Sequence, residues 1–349
     1  MKKSLIALAI LASAGAASAQ SNFTLYGVVD AALAHEKGDG SVRKLNSGQL
    51  NGSRFGLRGT EDLGGGLKGA FQIENGFNID TGTQAQGGRL FGRQAWVGVE
   101  GDFGAVRLGR QYTPLGNVAD MIGTKPYDVL TLAGTYGAND GYRADNAINY
   151  KSPSLNGLTI EGQYTLAIGS SAPGVETNAA PSAKAGRGVS FNVQYAQGPI
   201  RAGVGYLGLE DVNSGLVNSQ KRAEWILVAG YNFGMADVTA YYSNTELGTA
   251  AVKLPKKMTI AGVQAAFPFG AFTVTPGLAM AKDVNGSNAS AKDNVNFYTL
   301  QAKYDLSKRT ALYGLATIAD NAAAANKGFN NPKLDSNSYG IEVGVRHSF

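Results

Sequence analysis

The sequence predicts an all-β protein, a 16-stranded antiparallel transmembrane β-barrel with short turns at one end and long loops at the other. Three observations lead to this fold class. Tight turn signals alternate with long polar stretches, the segments between them alternate between apolar and polar residues, and the chain contains 48 Gly, 16 Tyr and 14 Phe. Glycine disfavours helices, whereas aromatic residues favour strands. A soluble sandwich with half-buried strands is the competing interpretation.

The N-terminal segment has the three parts of an export signal. Two lysines precede an apolar run over residues 5–12, and a small-residue cleavage site ends at Ala19. This pattern predicts a cleaved secretory signal peptide over residues 1–19, which is too short to span a membrane as a helix. We therefore expect the mature chain to form a single barrel domain over residues 20–349.

Composition narrows the function classes further. The chain has no cysteine, so disulfides do not hold this exported fold together. After the signal peptide, no segment approaches the roughly 18 apolar residues of a membrane-spanning helix. The formal net charge is +5, but basic and acidic residues are interspersed, so the charge does not indicate nucleic-acid binding.

The connections predict the strand number. Seven tight turns, built from Gly, Pro, Asn, Asp and Ser, are centred near residues 64, 103, 156, 198, 233, 269 and 307. Eight longer polar stretches separate them, at residues 37–49, 80–88, 113–144, 169–186, 210–221, 246–255, 283–293 and 320–336. Fifteen connections imply sixteen strands. An even number of strands, short periplasmic turns and long external loops are typical of an outer-membrane barrel, and a sandwich does not explain them.

The last strand shows the expected alternation of faces. Tyr339, Ile341, Val343 and Val345 share one face, while small or polar residues occupy the other, and the strand ends at Phe349. A period of two residues places one face toward lipid and the other toward a water-filled lumen. We expect this strand to pair with the first one and close the barrel, with its final ring at the periplasmic rim.

The longest connection, residues 113–144, is unusually apolar. Its large apolar residues are Leu115, Val118, Met121, Ile122, Tyr127, Val129, Leu130, Leu132 and Tyr136. This is too much apolar surface for a solvated, disordered loop. We expect this third external loop to fold inward, pack on the inner wall and narrow the pore. An external loop that covers the mouth or meets a partner is the alternative.

Four segments identify a family: FTLYGVVD at 23–30, SRFGLRGTEDLGGGLK at 53–68, VRLGR at 106–110 and GVRHSF at 344–349. They closely resemble Gram-negative general-diffusion porins of the betaproteobacterial type, over essentially the whole mature chain. The resemblance implies a homotrimer in the outer membrane, in contact with lipid and lipopolysaccharide, that lets small hydrophilic solutes and ions diffuse passively without a cofactor or metal. It also makes Phe349 part of the membrane assembly signal.

In such porins, a ladder of arginines faces carboxylates across the narrowest part of the pore. Matched by motif, the expected basic side consists of Arg54, Arg58, Arg93 and Arg143. The expected acidic side consists of Glu74 and, on the long loop, Asp120 and Asp128. The excess of basic candidates predicts a mild preference for anions.

The sequence gives little support to catalysis or nucleotide binding. A general base is usually a histidine, and neither His35 nor His347 lies beside a nucleophile motif. Residues 203–208 match GxGxxG, but they lie inside an alternating strand with no helix after it. A barrel that acts as an adhesin or receptor without an open pore is the main alternative function.

Overall fold

The computed structural model describes residues 22–123, 142–166, 187–209, 220–249, 252–284, 293–322, 325, 327–329, 332–333 and 335–349. The predicted signal peptide and residues 124–141 of the predicted third loop, including Asp128, lie outside the described residues. In the described part of the chain, no helix has the length and apolar character needed to cross a membrane.

The chain is built almost entirely of strands. They are β1 (Asn22–Gly38), β2 (Gly40–Ser47), β3 (Arg54–Gly64), β4 (Leu67–Gly76), β5 (Gln94–Gly101), β6 (Gly104–Tyr112), β7 (Arg143–Lys151), β8 (Leu158–Thr165), β9 (Gly188–Gln197), β10 (Ile200–Leu209), β11 (Gln220–Asn232), β12 (Asp237–Thr249), β13 (Val252–Phe269), β14 (Phe272–Lys282), β15 (Val295–Asp305), β16 (Thr310–Asn321) and β17 (Ser338–Ser348). One short helix, α1 (Pro114–Asp120), follows β6.

These elements make a closed barrel with sixteen strand positions, as predicted. One edge of β1 pairs with β17, and the other edge pairs with β3 over residues 22–28 and with β2 over residues 31–38. Strands β2 and β3 are therefore the two halves of one barrel strand, interrupted at residues 48–53. From β3 to β17 each strand pairs antiparallel with the next, and all seven predicted short turns are present.

Two of the predicted long loops are mostly strand. Residues 37–49 form a hairpin in which β1 and β2 stay paired from Ala31↔Ser47 to Gly38↔Gly40. Strands β12 and β13 likewise extend to Thr249 and from Val252, within the predicted loop 246–255. Polar residues can continue a hairpin past the apolar band because the strand ladder satisfies their backbone groups. Polarity alone therefore placed these loop boundaries too early.

Burial shows which face of each strand points outward. On β1, Leu33 is 68% exposed while its neighbour Ala32 is 1% exposed, and on β17 Val343 is 64% exposed while Glu342 is 1% exposed. On these two strands the large apolar side chains face outward and the polar and small ones face the interior, whereas on β10, β11, β13 and β15 the inner face also carries large apolar side chains, those of Leu207, Ile226, Ile260 and Phe297. This arrangement matches the alternation predicted from the sequence.

The seam of the barrel lies between the two ends of the described chain. The backbone N–H of Gly27 donates to the carbonyl of Phe349, and the N–H of Phe349 donates to the carbonyl of Gly27, both at 3.1 Å. A Cβ at Gly27 would lie 2.2 Å from the Phe349 ring, so glycine is needed for the ring to cross the first strand there.

Candidate functional site

The helix after β6 lies inside the barrel. Its first turn is capped by Thr113, whose hydroxyl accepts a hydrogen bond from the N–H of Gly116 at 3.0 Å, and Pro114 begins the helix. Its apolar face joins a buried cluster that contains Leu115, Val118, Ala119 and Ile122 from this segment and Leu207, Leu209, Ile226 and Val228 from the wall. The described start of the predicted third loop therefore packs on the inner wall formed by β10 and β11.

A buried carboxylate holds the helix in place. Glu161 on β8 accepts hydrogen bonds from the side-chain amides of Asn117 in α1 at 2.8 Å, Asn192 at 3.0 Å and Asn149 at 3.0 Å. Asn192 also donates to the carbonyl of Pro114 at 2.8 Å. Hydrogen bonds to a charged acceptor are stronger than neutral ones. The polar anchor thus adds to the apolar packing, and the sequence alone did not point to Glu161.

The GxGxxG sequence at residues 203–208 has a packing role. A Cβ at Gly205 would lie 3.0 Å from the Cα of Leu115, and one at Gly203 would lie 2.7 Å from the sulfur of Met121. Glycine lets the helix backbone approach the strand closely. The motif lies within β10 and does not lead into a helix, so it is not the strand–turn–helix arrangement that binds a dinucleotide.

Three of the four predicted arginines meet on another part of the barrel wall, the part formed by β3 to β7. Arg93 donates through Nε to a Glu74 carboxylate oxygen at 2.7 Å and through its terminal nitrogen to the Tyr112 hydroxyl at 2.8 Å. Arg143 donates to the same hydroxyl at 2.7 Å. The Nε of Arg54 lies 3.8 Å from the other oxygen of Glu74. We call these five residues the arginine cluster.

Glu74 belongs to this cluster, so its expected position opposite the arginines is wrong. In the register of the adjacent strands β3 and β4, Arg54 pairs with Gly76, which is two residues from Glu74 on the same face. The carboxylate is buried and also accepts a hydrogen bond from the Tyr26 hydroxyl at 2.8 Å. Adjacent strands bring the two charges together, and the carboxylate offsets part of the arginine charge.

The other predicted charges have different positions. Arg58 is exposed on the inner face of β3, with its guanidinium carbon 5.2 Å from the centre of the Tyr26 ring. Asp120 is exposed at the end of α1. Arg93 lies directly before β5 and is buried, and its backbone N–H donates to the carbonyl of Glu74 at 3.2 Å.

A second feature that sequence analysis missed lies beside the cluster. The buried carboxylate of Asp30 on β1 accepts hydrogen bonds from the backbone N–H groups of Leu50 at 2.9 Å and Asn51 at 2.8 Å. This holds residues 48–53 on the inner side of the wall, where the carbonyl of Gly52 accepts a hydrogen bond from Arg54 at 3.2 Å. The only available signal was an aspartate in the otherwise apolar stretch 25–34 of the first strand.

Carboxylates nearer the long-loop end are hydrogen-bonded and buried. The amide of Asn46 donates to Glu342 at 2.6 Å and to Glu36 at 3.2 Å, and Lys44 lies 3.0 Å from Glu36. Their charges are thus partly compensated within the wall. No group of three or more His, Cys, Asp or Glu side chains in the described ranges is arranged to hold a metal ion.

Comparison with known proteins decides the family. A family model described as Gram-negative porin matches residues 4–324. The chain belongs to the Gram-negative porin family. This porin is 31% identical to an outer membrane porin protein of Bordetella pertussis and 33% identical to outer membrane porin protein 32 of Delftia acidovorans, with all of each chain covered. The structure of an anion-selective porin from Comamonas acidovorans superposes with a TM-score of 0.80 at 29% identity, covering 94% of this chain and 100% of that one.

Family and fold together settle the general function. This porin is an outer-membrane β-barrel that forms a water-filled channel for passive diffusion of small hydrophilic solutes and ions. The family and fold are those of a channel rather than an enzyme. In outer-membrane barrels, short turns lie at the periplasmic end and long loops at the external end.

Proposed function

We propose that this porin is a homotrimeric channel with a mild preference for anions, set by the arginine cluster at its narrowest section. The observation that carries the proposal is the charge balance of the cluster. The cluster contains three guanidinium groups and one carboxylate: Arg54 and Arg93 lie against Glu74, whereas Arg143 donates to the Tyr112 hydroxyl. Arg58 adds a further exposed positive charge on the same wall.

The magnitude of the field suits diffusion rather than tight binding. One unit charge at 4 Å contributes about 1 kcal/mol in bulk water and about 4 kcal/mol at an effective dielectric near 20. A pore mouth lies between these limits. A net charge of this kind enriches anions and depletes cations locally. The interaction is weak enough for the solute to leave the pore, as conduction requires.

Residues 113–144 complete the proposed constriction. Helix α1 already lies on the inner wall, anchored by Glu161. Asp120, which is exposed at the end of that helix, is the proposed acidic counterpart. Asp128 is proposed for the same side from the sequence alone.

The remaining assignments rest on family membership. A structure of OmpT from Vibrio cholerae is described as a trimer form, and at 15% identity it shares the fold. We propose a homotrimer for this porin, with lipopolysaccharide around its external rim, a signal peptide over residues 1–19, and a role for Phe349 in assembly. N-terminal sequencing of the protein from outer membranes tests the cleavage site, and crosslinking followed by gel electrophoresis tests the trimer.

Recording in planar lipid bilayers tests the channel and its selectivity. We expect steady ohmic current steps and, in a KCl gradient, a reversal potential with the sign of an anion-preferring channel. Arg93→Gln should move that potential toward zero. Arg309→Gln makes the same charge change at an exposed periplasmic turn and should leave it in place. A cation-preferring wild type would contradict the proposed selectivity, and a silent bilayer would favour an adhesin or receptor.

A further inference from the structure

Arginines stacked on aromatic rings recur along one wall of the lumen. Among the described residues, the guanidinium carbon of Arg143 lies 4.4 Å from the centre of the Tyr112 ring, and that of Arg58 lies 5.2 Å from the Tyr26 ring. A third pair joins β6 to β5, where the guanidinium carbon of Arg107 lies 4.4 Å from the centre of the Trp96 ring.

The orientation of Trp96 follows from its neighbours on β5. Val97 is 60% exposed on the outer, apolar face, so Trp96 faces the lumen. The chain has one other tryptophan, Trp225, which lies on the outer face and stacks with Tyr242 at 5.0 Å between ring centres. Trp225 therefore has the position of an aromatic residue that anchors a barrel at the lipid interface. Trp96 cannot have that role, because it faces away from lipid.

Trp96 and Arg58 belong to one row of side chains across three adjacent strands. Arg58 pairs with Gln72, and Gln72 pairs with Trp96. With strands about 4.8 Å apart, the Cα atoms of Arg58 and Trp96 lie about 10 Å apart on the same face. The row is four residues from Arg54 on β3, or about 13 Å toward the periplasmic end.

The two arginines of this region differ in their electrostatic environment. Arg107 forms an ion pair with Glu100 at 2.8 Å, so its charge is compensated while it covers Trp96. Arg58 has an exposed side chain and no ion-pair partner in the part of the chain that the structure describes. The row therefore presents to the lumen the open charge of Arg58, the Gln72 amide, which donates to the Tyr26 hydroxyl at 2.6 Å, and the half-buried indole of Trp96, which Arg107 covers on one face.

We propose that the row Arg58, Gln72 and Trp96 is a weak binding site for aromatic carboxylates in transit. This rests on the proposed function as an anion-preferring channel. A guanidinium matches a carboxylate with two parallel N–H donors. A ring attached to that carboxylate can contact the indole in an offset or edge-to-face arrangement. An aliphatic acid of equal charge and similar size gains the first contact and lacks the second.

Block of single-channel KCl current by two acids tests the proposal. Benzoate and cyclohexanecarboxylate carry the same charge, and only benzoate is aromatic. We expect the apparent blocking constant of benzoate to be about threefold to tenfold lower, which is the range of an aromatic pair. Trp96→Leu should remove the difference between the acids, and Trp96→Phe should keep part of it. Arg58→Gln should weaken the block by both acids.

The control is Trp225→Leu, which removes an indole from the outer face and should leave the discrimination unchanged. Each block is expressed relative to the KCl current of the same channel, so a change in pore size is cancelled. Equal block by both acids in the wild type, or discrimination that persists in Trp96→Leu, would overturn the proposal. The KCl reversal potential of the same channels separates the two claims: anion preference without discrimination overturns only the aromatic site, whereas cation preference overturns the proposed function.

Discussion

Replacing Glu74 with glutamine should strengthen the anion preference of the pore. Its carboxylate lies 2.7 Å from Arg93 and 3.8 Å from Arg54, and it is the acidic group in the arginine cluster. The substitution removes one negative charge and changes the side-chain volume very little. Arg93 keeps its hydrogen bond to Tyr112, so we expect the barrel to assemble.

The size of the effect follows from the distance to the ion path. An anion that passes about 8 Å from Glu74 is repelled by about 0.5 kcal/mol at the dielectric constant of water and by about 2 kcal/mol at an effective value near 20. Even the smaller value, once removed, raises the local anion concentration about twofold and lowers that of cations by the same factor. The reversal potential in a tenfold KCl gradient should therefore move further toward the chloride limit.

Asp62→Asn is the matched control on the same hairpin. Asp62 lies at the periplasmic turn and pairs in register with Lys68, six residues along β4 from Glu74. Six strand residues span about 20 Å, which exceeds the Debye length of about 10 Å at 0.1 M salt. The control should leave the potential unchanged. An unchanged potential in Glu74→Gln, or a shift toward potassium, would refute the reasoning.

Three further predictions concern the helix and the seam. Glu161→Gln should weaken the attachment of α1 to the wall, because the carboxylate that accepts three amide hydrogen bonds is replaced by an amide. We therefore expect voltage-induced closure at a lower voltage in bilayer recordings. Closure at the wild-type voltage would contradict this. Gly205→Val should displace Leu115 and change the single-channel conductance, because a Cβ at Gly205 would lie only 3.0 Å from the Cα of Leu115. Gly162→Ala is the control, since a Cβ there would meet open space, and it should leave the conductance unchanged. Deletion of Phe349 should reduce the yield of folded trimer more than the conductance of the channels that do form, because it removes both backbone bonds to Gly27; a normal trimer yield would argue against it.

Much of the barrel was predictable because its signals are local. The two-residue alternation that puts Ile341 and Val343 outward depends only on strand geometry, and each tight turn depends on residues next to one another. The ends of the long hairpins were less predictable. Residues 37–49 are polar whether they form a loop or a strand beyond the lipid, and only pairing with a neighbouring strand distinguishes the two.

The site was predicted in part. Arg54, Arg93 and Arg143 lie together as their motif matches implied, and the apolar start of residues 113–144 led to the inward helix. The position of Glu74 was predicted wrongly because its place in the strand shows only that it faces the lumen. The sequence does not show which charged side chain it contacts there. Asp30 ends a family segment that gave it no role, and Glu161, Tyr112 and Trp96 lie in none of the four segments. Their roles emerged only from contacts between distant parts of the chain.

The sequence by itself determined the fold class, the strand number and the alternation of faces along the strands. These properties follow from short-range periodicity, turn chemistry and composition, which do not depend on distant partners. Only the tertiary structure decided that Glu74 compensates the arginines and that Glu161 anchors the helix. Those outcomes depend on strand register and on contacts between the inner wall and the segment that folds onto it, and both arise only when the barrel forms.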